Sequence, residues 1–180
     1  IGLAIAEELA REGCQVAVCA RSQASLDGVA GRFLALQADV SKSDDAARLV
    51  EEMAARLGCI DILVNNAGGS LGGGGFSAST IEQWRGVIDV NLMGTLYVSK
   101  AAAPHMQRAG WGRIINISSI WGRESGGGAA YNAAKSAVNS LTKAMAQDLA
   151  PFGILVNSVA PGSVWFEGGG WDKRQKNDPQ

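Results

Sequence analysis

Apolar residues recur along this chain in two alternating rhythms: long stretches with a 3.6-residue period, and between them short runs rich in Val, Ile and Leu. Ile1, Ile5 and Leu9 share one helical stripe, and Gly13 follows as a stop, so the chain opens inside a helix. Residues 15–20 read as a short strand, a helix runs from Ser22 or Gln23 to about Ala30, and residues 33–38 form a second buried strand. Ser43, with Asp44 and Asp45 behind it, starts a helix whose stripe is Ala46, Leu49, Val50, Met53 and Leu57, and Gly58 closes it. Residues 61–65 are the next strand. Thr80 and Gln83 have the spacing of a capping box for a long helix to about His105. A strand over 112–118, a helix over 130–150 and a strand over 154–160 complete the series.

Strands alternating with helices of ten or more residues imply a parallel sheet covered on both faces. Such α/β sheets bind ligands at the carboxyl ends of their strands. Polar and glycine residues gather at those ends: Arg21, Asp39, Asn65 to Gly68, Ser118, Ser119, Pro161 and Gly162.

The 180 residues fit one domain over 1–180, and a formal net charge of −1 offers nothing to attract nucleic acid or an acidic membrane surface. Cys14, Cys19 and Cys59 have neither zinc-site spacing nor the even count of a disulfide framework, and with His105 the lone histidine no metal site is expected. The three thiols read as core residues in a reducing compartment. No apolar run approaches a membrane span and no signal-peptide pattern opens the chain, so the expected location is cytoplasmic. Glycine clusters at 72–75 and 168–170 read as mobile loops.

Tyr131 and Lys135 stand four apart at the start of an apolar-periodic run, which puts both side chains on one helix face. A fixed ammonium beside a phenol favours phenolate, one way to build a general acid or base for carbonyl chemistry. The alternative is a Tyr and a Lys on an ordinary surface helix.

With these motifs together, the sequence resembles the short-chain dehydrogenase/reductase family over nearly all of its length. Tyr131 and Lys135 match the family's Tyr-x-x-x-Lys pair, and Asn65-Asn66-Ala67-Gly68 its glycine turn. Asn91 falls at the helix asparagine, Ile117 to Gly122 at the serine segment, and Pro161-Gly162 at the turn after the sixth strand. The resemblance implies a three-layer Rossmann-type, doubly wound parallel sheet. Of the family's first strand and pyrophosphate-binding glycine turn only Ile1-Gly2 is present, and the C-terminal lid and last strand are not matched. A sequence truncated at both ends is therefore expected, with a gap in the middle of the sheet.

The resemblance also implies roles. Tyr131 exchanges a proton with the carbonyl or alcohol oxygen, Lys135 binds the cofactor ribose, and Asn91 joins a water-linked proton relay to Lys135. Ser119 is the serine that contacts the reacting oxygen by the Ser-x-x-Gly pattern, whereas Ser118 fits the spacing to Tyr131 better, and both stay open. Cofactor contacts fall on Ile1, Gly2, Arg21, Ser22, Asp39, Val40, Asn65, Ala67, Gly68, Tyr131, Lys135, Pro161, Gly162 and Val164. Ala20 stands where NAD-preferring members carry an acid, and Arg21 beside it suits a 2′-phosphate, so NADP is expected over NAD. Phe166 replaces a threonine that the family often has five residues after the proline. Trp121, Trp165, Phe166 and Trp171 are candidates for an apolar substrate pocket, or for lid and core packing.

The reading that follows is an NADP(H)-dependent oxidoreductase of a small carbonyl or alcohol substrate, a homodimer or homotetramer by family analogy. A non-catalytic nucleotide-binding or assembly subunit is the alternative from another class, and a nucleotide-sugar epimerase a third.

Overall fold

The computed structural model describes residues 1–72, 74–165, 167, 168 and 170–177. In chain order the elements are α1 (Gly2–Arg11), β1 (Ala17–Ala20), α2 (Gln23–Asp27), β2 (Leu34–Gln37), α3 (Ser43–Leu57), β3 (Ile62–Asn65), α4 (Ile81–Ile88), α5 (Gly94–Ala109), β4 (Gly112–Ile117), α6 (Ala129–Leu149), β5 (Ile154–Val159) and α7 (Gly170–Asn177). Every strand pair is parallel, so each connection must cross over through a helix, and the result is a Rossmann-like α/β fold.

The pairing falls into two groups, β1-β2 and β3-β4-β5. β1 and β3 face each other across a cavity of about 620 Å³, walled by Val18 and Cys19 on one side, Leu63 and Val64 on the other, and Ile5 and Leu9 of α1. The gap expected in mid-sheet is thus where the two strand groups part. It also corrects the reading of the cysteines as core. Cys14 and Cys59 line this cavity and are exposed, and Cys19, on its β1 wall, is half-buried.

Two apolar clusters hold the layers. Leu36, Ala46, Leu49, Val50, Val98 and Ala102 join β2, α3 and α5. Met106, Ile114, Leu149, Ile154 and Val156 join α5, α6 and strands β4 and β5. Met106 is fully buried against Gly112, where a Cβ would stand 2.5 Å from its sulfur, so the strand begins on a residue without a side chain.

Local signals set most element ends. Gly58 caps α3 with φ 83°, and the capping box of α4 forms both ways, Gln83 N donating to Thr80 Oγ1 at 3.2 Å and Thr80 N to Gln83 Oε1 at 2.8 Å. Three expectations need correction. α2 stops at Asp27, three residues short of Ala30, where Gly28 weakens it and Gly31 turns the chain with φ 84°. The long helix from Thr80 is interrupted by a π-turn over Asp89–Met93. There Thr95 Oγ1 donates to Asn91 O at 2.9 Å and Asn91 Nδ2 to Val87 O at 2.8 Å, so side chains take carbonyls of the helical ladder and the turn widens. Gly170, expected in a loop, is the first residue of α7.

Candidate active site

The parallel register brings the strand ends level: Ala20 pairs with Gln37, Asn65 with Asn116, and Ile117 with Val159. The loops leaving β3, β4 and β5 meet the first turns of α6 there. Ser118 N donates to Val159 O at 2.7 Å, and Ile120 N to Pro161 O at 3.0 Å, which ties the serine segment to the Pro161 turn.

At the start of α6, Lys135 Nζ lies 5.6 Å from the centroid of the Tyr131 ring and donates to Ile117 O at 2.8 Å. Lys135 is only 4% exposed, and burial pulls its pKa down to about 8. Among the described residues its remaining N–H groups and the Tyr131 hydroxyl have no partner. Asn91 is fully buried, its amide bonded to both backbone groups of Gly69: Gly69 N donates to Oδ1 at 3.1 Å and Nδ2 donates to Gly69 O at 2.9 Å. Gly68 sits between these groups. A Cβ on it would stand 2.5 Å from Asn91 Oδ1 and 3.2 Å from Lys135 Nζ, so the space above this glycine is the point on which the two side chains converge.

The two serines differ. Ser118 is buried and its hydroxyl donates to Lys135 O at 3.3 Å, joining β4 to α6. Ser119 Oγ accepts from Trp121 N at 3.2 Å, and its own proton has no acceptor among the described residues. Ser119 therefore keeps a free donor where Ser118 does not.

Residues 1–169 match the family model described as short chain dehydrogenase. The chain belongs to the short-chain dehydrogenase family. An uncharacterised oxidoreductase of Staphylococcus saprophyticus is 38% identical over 192 residues, covering all of this chain and 82% of that protein. A short-chain dehydrogenase from Streptomyces avermitilis superposes with a TM-score of 0.85 at 35% identity, over 92% of this chain and 63% of that one. A gluconate 5-dehydrogenase from Burkholderia cenocepacia, solved with NADP and tartrate, superposes with a TM-score of 0.84 at 34% identity, over 96% of this chain and 73% of that one.

Within this short-chain dehydrogenase the other predicted positions distribute as follows. Ile1 is exposed and Gly2 half-buried, and a Cβ on Gly2 would meet Asn66 Nδ2 at 2.5 Å, so α1 begins hard against the Asn65 to Gly68 turn. Arg21 and Ser22 are exposed beyond β1. The Arg21 carbonyl accepts from Gln37 Nε2 at 2.8 Å, and Ser22 Oγ shares a 2.8 Å hydrogen bond with Ser25 Oγ. Asp39 Oδ1 accepts from Ser41 N at 3.1 Å and Ser41 Oγ at 2.7 Å, which makes it a turn-forming residue as well as a strand-end one. Val40 is buried, while Ala67, Gly68, Gly162 and Val164 are exposed and Pro161 half-buried. Asn65 turns into the core, donating to Ser99 Oγ at 2.9 Å and Asn116 Oδ1 at 2.8 Å.

Of the aromatic candidates, Trp121 is half-buried under the loop before α6. A Cβ on Gly126 would stand 2.5 Å from its ring, and one on Gly127 3.1 Å. Trp165 is 60% exposed, and Phe166 and the Trp171 side chain lie outside the described residues. His105, with no partner nearby in sequence, meets Glu51 of α3 at 2.9 Å.

Sequence reasoning missed Gly69, the Ile117 carbonyl, and the buried polar residues Ser99, Asn116 and Thr142. Asn116 carried a signal, a lone amide inside Ile114-Ile115-Asn116-Ile117. Among the described residues no helix is long and apolar enough to cross a membrane.

Proposed function

We propose that this chain forms the cofactor and catalytic part of an NADP(H)-dependent oxidoreductase that interconverts an alcohol and a ketone. The observation that carries the reading is the convergence of Asn91 Oδ1 and Lys135 Nζ above Gly68, with the Tyr131 ring 5.6 Å from that ammonium. This is a polar centre at the strand ends, in which the Lys135 ammonium and the Tyr131 hydroxyl keep unused hydrogen-bonding capacity among the described residues.

The residues fit a nicotinamide dinucleotide. The spare N–H groups of Lys135 suit ribose hydroxyls, the glycine surface at Gly68 admits close approach, and the exposed Arg21 and Ser22 offer charge-assisted and hydroxyl bonds to a 2′-phosphate. When bound, the dinucleotide supplies or accepts the hydride. The Tyr131 hydroxyl gives its proton to the carbonyl oxygen in reduction and takes it back in oxidation. Ser119 directs its free hydroxyl proton to that same oxygen as negative charge builds there. The Lys135 ammonium stands beside the ring on which charge develops, and Asn91 fixes the Gly69 backbone that forms the wall of the site. The Burkholderia relative solved with NADP supports the choice of dinucleotide.

Binding of NADPH and NADH, followed by nucleotide fluorescence beside an Arg21→Ala variant, tests this. Tighter NADPH binding that Arg21→Ala selectively weakens is the expected outcome. Binding of neither dinucleotide would point to a non-catalytic subunit of the same fold.

A further inference from the structure

Lys135 is not the only point at which α6 is seated on β4. Two helical turns later, Thr142 Oγ1 accepts from Asn116 Nδ2 at 2.9 Å and donates to Val138 O at 2.7 Å. Asn116 in turn accepts from Asn65 Nδ2 at 2.8 Å, and Asn65 Nδ2 also reaches Ser99 Oγ of α5 at 2.9 Å. Exposure along this line is 3% at Ser99, 8% at Asn65, 0% at Asn116 and 5% at Thr142. A chain of buried polar side chains thus crosses the sheet from α5 through β3 and β4 to α6.

Burial alone does not call for such a chain, because apolar residues of similar volume would fill the same space without the desolvation cost of hydroxyls and amides. What a satisfied buried network adds is geometry, since each member is stable in one arrangement only. Here the geometry is specific. Asn116 and Ile117, consecutive residues of β4, hold Thr142 and Lys135, seven residues apart on one face of α6. The Ile117 and Ser118 bonds both fall at Lys135 and hold the helix at one level, whereas the Asn116–Thr142 bond lies two turns further along and restrains its rotation and its slide along the strand there.

We propose that Thr142, acting through Asn116, is a positioning residue. It seats α6 so that Lys135 and Tyr131 stand at the right place relative to Asn91 and Gly68, and it touches neither substrate nor cofactor itself. The inference rests on the redox reading of the site given above.

The test compares Thr142→Val, which keeps the shape and loses the hydroxyl, with Thr142→Ser, which keeps the hydroxyl and loses a methyl. Tyr131→Phe is measured alongside. In the full chain, NADPH oxidation is followed with whichever ketone of an acyclic, cyclic and aromatic panel the parent turns over fastest. Thr142→Val is expected to lower kcat by about tenfold or more, as misplacement remote from the chemistry does, and to move the alkaline limb of its pH profile. Thr142→Ser should stay within about twofold of the parent with an unmoved limb, although both variants lower Tm. Where Thr142→Val does not fold, Thr142→Cys, a weaker hydrogen-bonding group of similar size, should give an intermediate kcat.

Valine or cysteine variants with parental kcat and pH profile would overturn the inference, as would equal losses in the valine and serine variants. Loss of turnover in Tyr131→Phe with none in Thr142→Val sinks the inference alone. Unchanged turnover in Tyr131→Phe sinks the reading of the site and the inference with it.

Discussion

Lys135 Nζ donates to the backbone carbonyl of Ile117 at 2.8 Å, so a buried ammonium of α6 is anchored on the last residue of β4. The bond answers one of its N–H groups, and among the described residues the others have no hydrogen-bond partner. Burial away from water disfavours the charged form and lowers the pKa of the group to about 8.

Stability should therefore rise with pH above about 8. Below that value Lys135 is protonated in both folded and unfolded chains, and the folded state bears the full cost of the buried charge. As pH rises toward the ordinary lysine value, the folded state releases its proton while the unfolded state still holds one, and stability increases. The gain is about 1.4 kcal/mol by about pH 9 and approaches roughly 3 kcal/mol at higher pH. Urea unfolding of the ligand-free chain across this range measures it, with Lys135→Met as the control that should flatten the rise.

Ser119→Ala and Ser118→Ala should separate chemistry from packing. Ser119 has the free proton, so its loss should lower kcat by roughly a hundredfold, with about 1 kcal/mol of stability lost through the Trp121 N–H it caps. Ser118 joins β4 to α6 at Lys135 O, so its alanine should cost about 1 kcal/mol of stability. Steady-state rates on both variants, with thermal melts to correct for stability, check the assignment, and a large rate loss in Ser118→Ala with none in Ser119→Ala would move the catalytic role to Ser118.

Gly68→Ala should damage the site more than the fold. Its Cβ would press on Asn91 Oδ1 at 2.5 Å and Lys135 Nζ at 3.2 Å, displacing the ammonium proposed to hold the ribose and the amide that fixes the Gly69 backbone. NADPH affinity and kcat/KM are expected to fall by roughly tenfold or more, with circular dichroism unchanged.

Thiol labelling should follow environment rather than exposure alone. Cys14 and Cys59 are both exposed, but the Cys59 thiol donates to Asp61 Oδ2 at 3.0 Å, and this hydrogen bond and the carboxylate charge raise its pKa. Burial raises that of Cys19, with Asp45 adding to it. Since the thiolate is the reactive form, maleimide followed by mass spectrometry should label Cys14 first at neutral pH. Asp61→Asn should speed labelling of Cys59, and an unchanged rate would discount the carboxylate.

Sequence alone determined the order and type of all five strands and of most helices, because hydrophobic period, capping residues and glycines act within a few residues of one another, while the π-turn over Asp89–Met93 and α7 escaped it. The Thr80-Gln83 box and the Gly58 stop formed as their local chemistry requires. Sequence also determined that strand ends would carry the polar residues, since a parallel sheet leaves that as the place where apolar runs stop. Tertiary structure decided which of those residues meet. Asn91, which converges with Lys135 on Gly68, sits in a π-turn where its own amide and the Thr95 hydroxyl bond helical carbonyls, an arrangement that no hydrophobic period encodes. Asn65, which reads as a ligand residue from its motif, was drawn into the core by Ser99 and Asn116, residues 34 and 51 positions away. A lone amide such as Asn116 in its apolar run signals that a partner is needed but not which one, because the pairing is fixed only once strand register and helix seating bring the residues together.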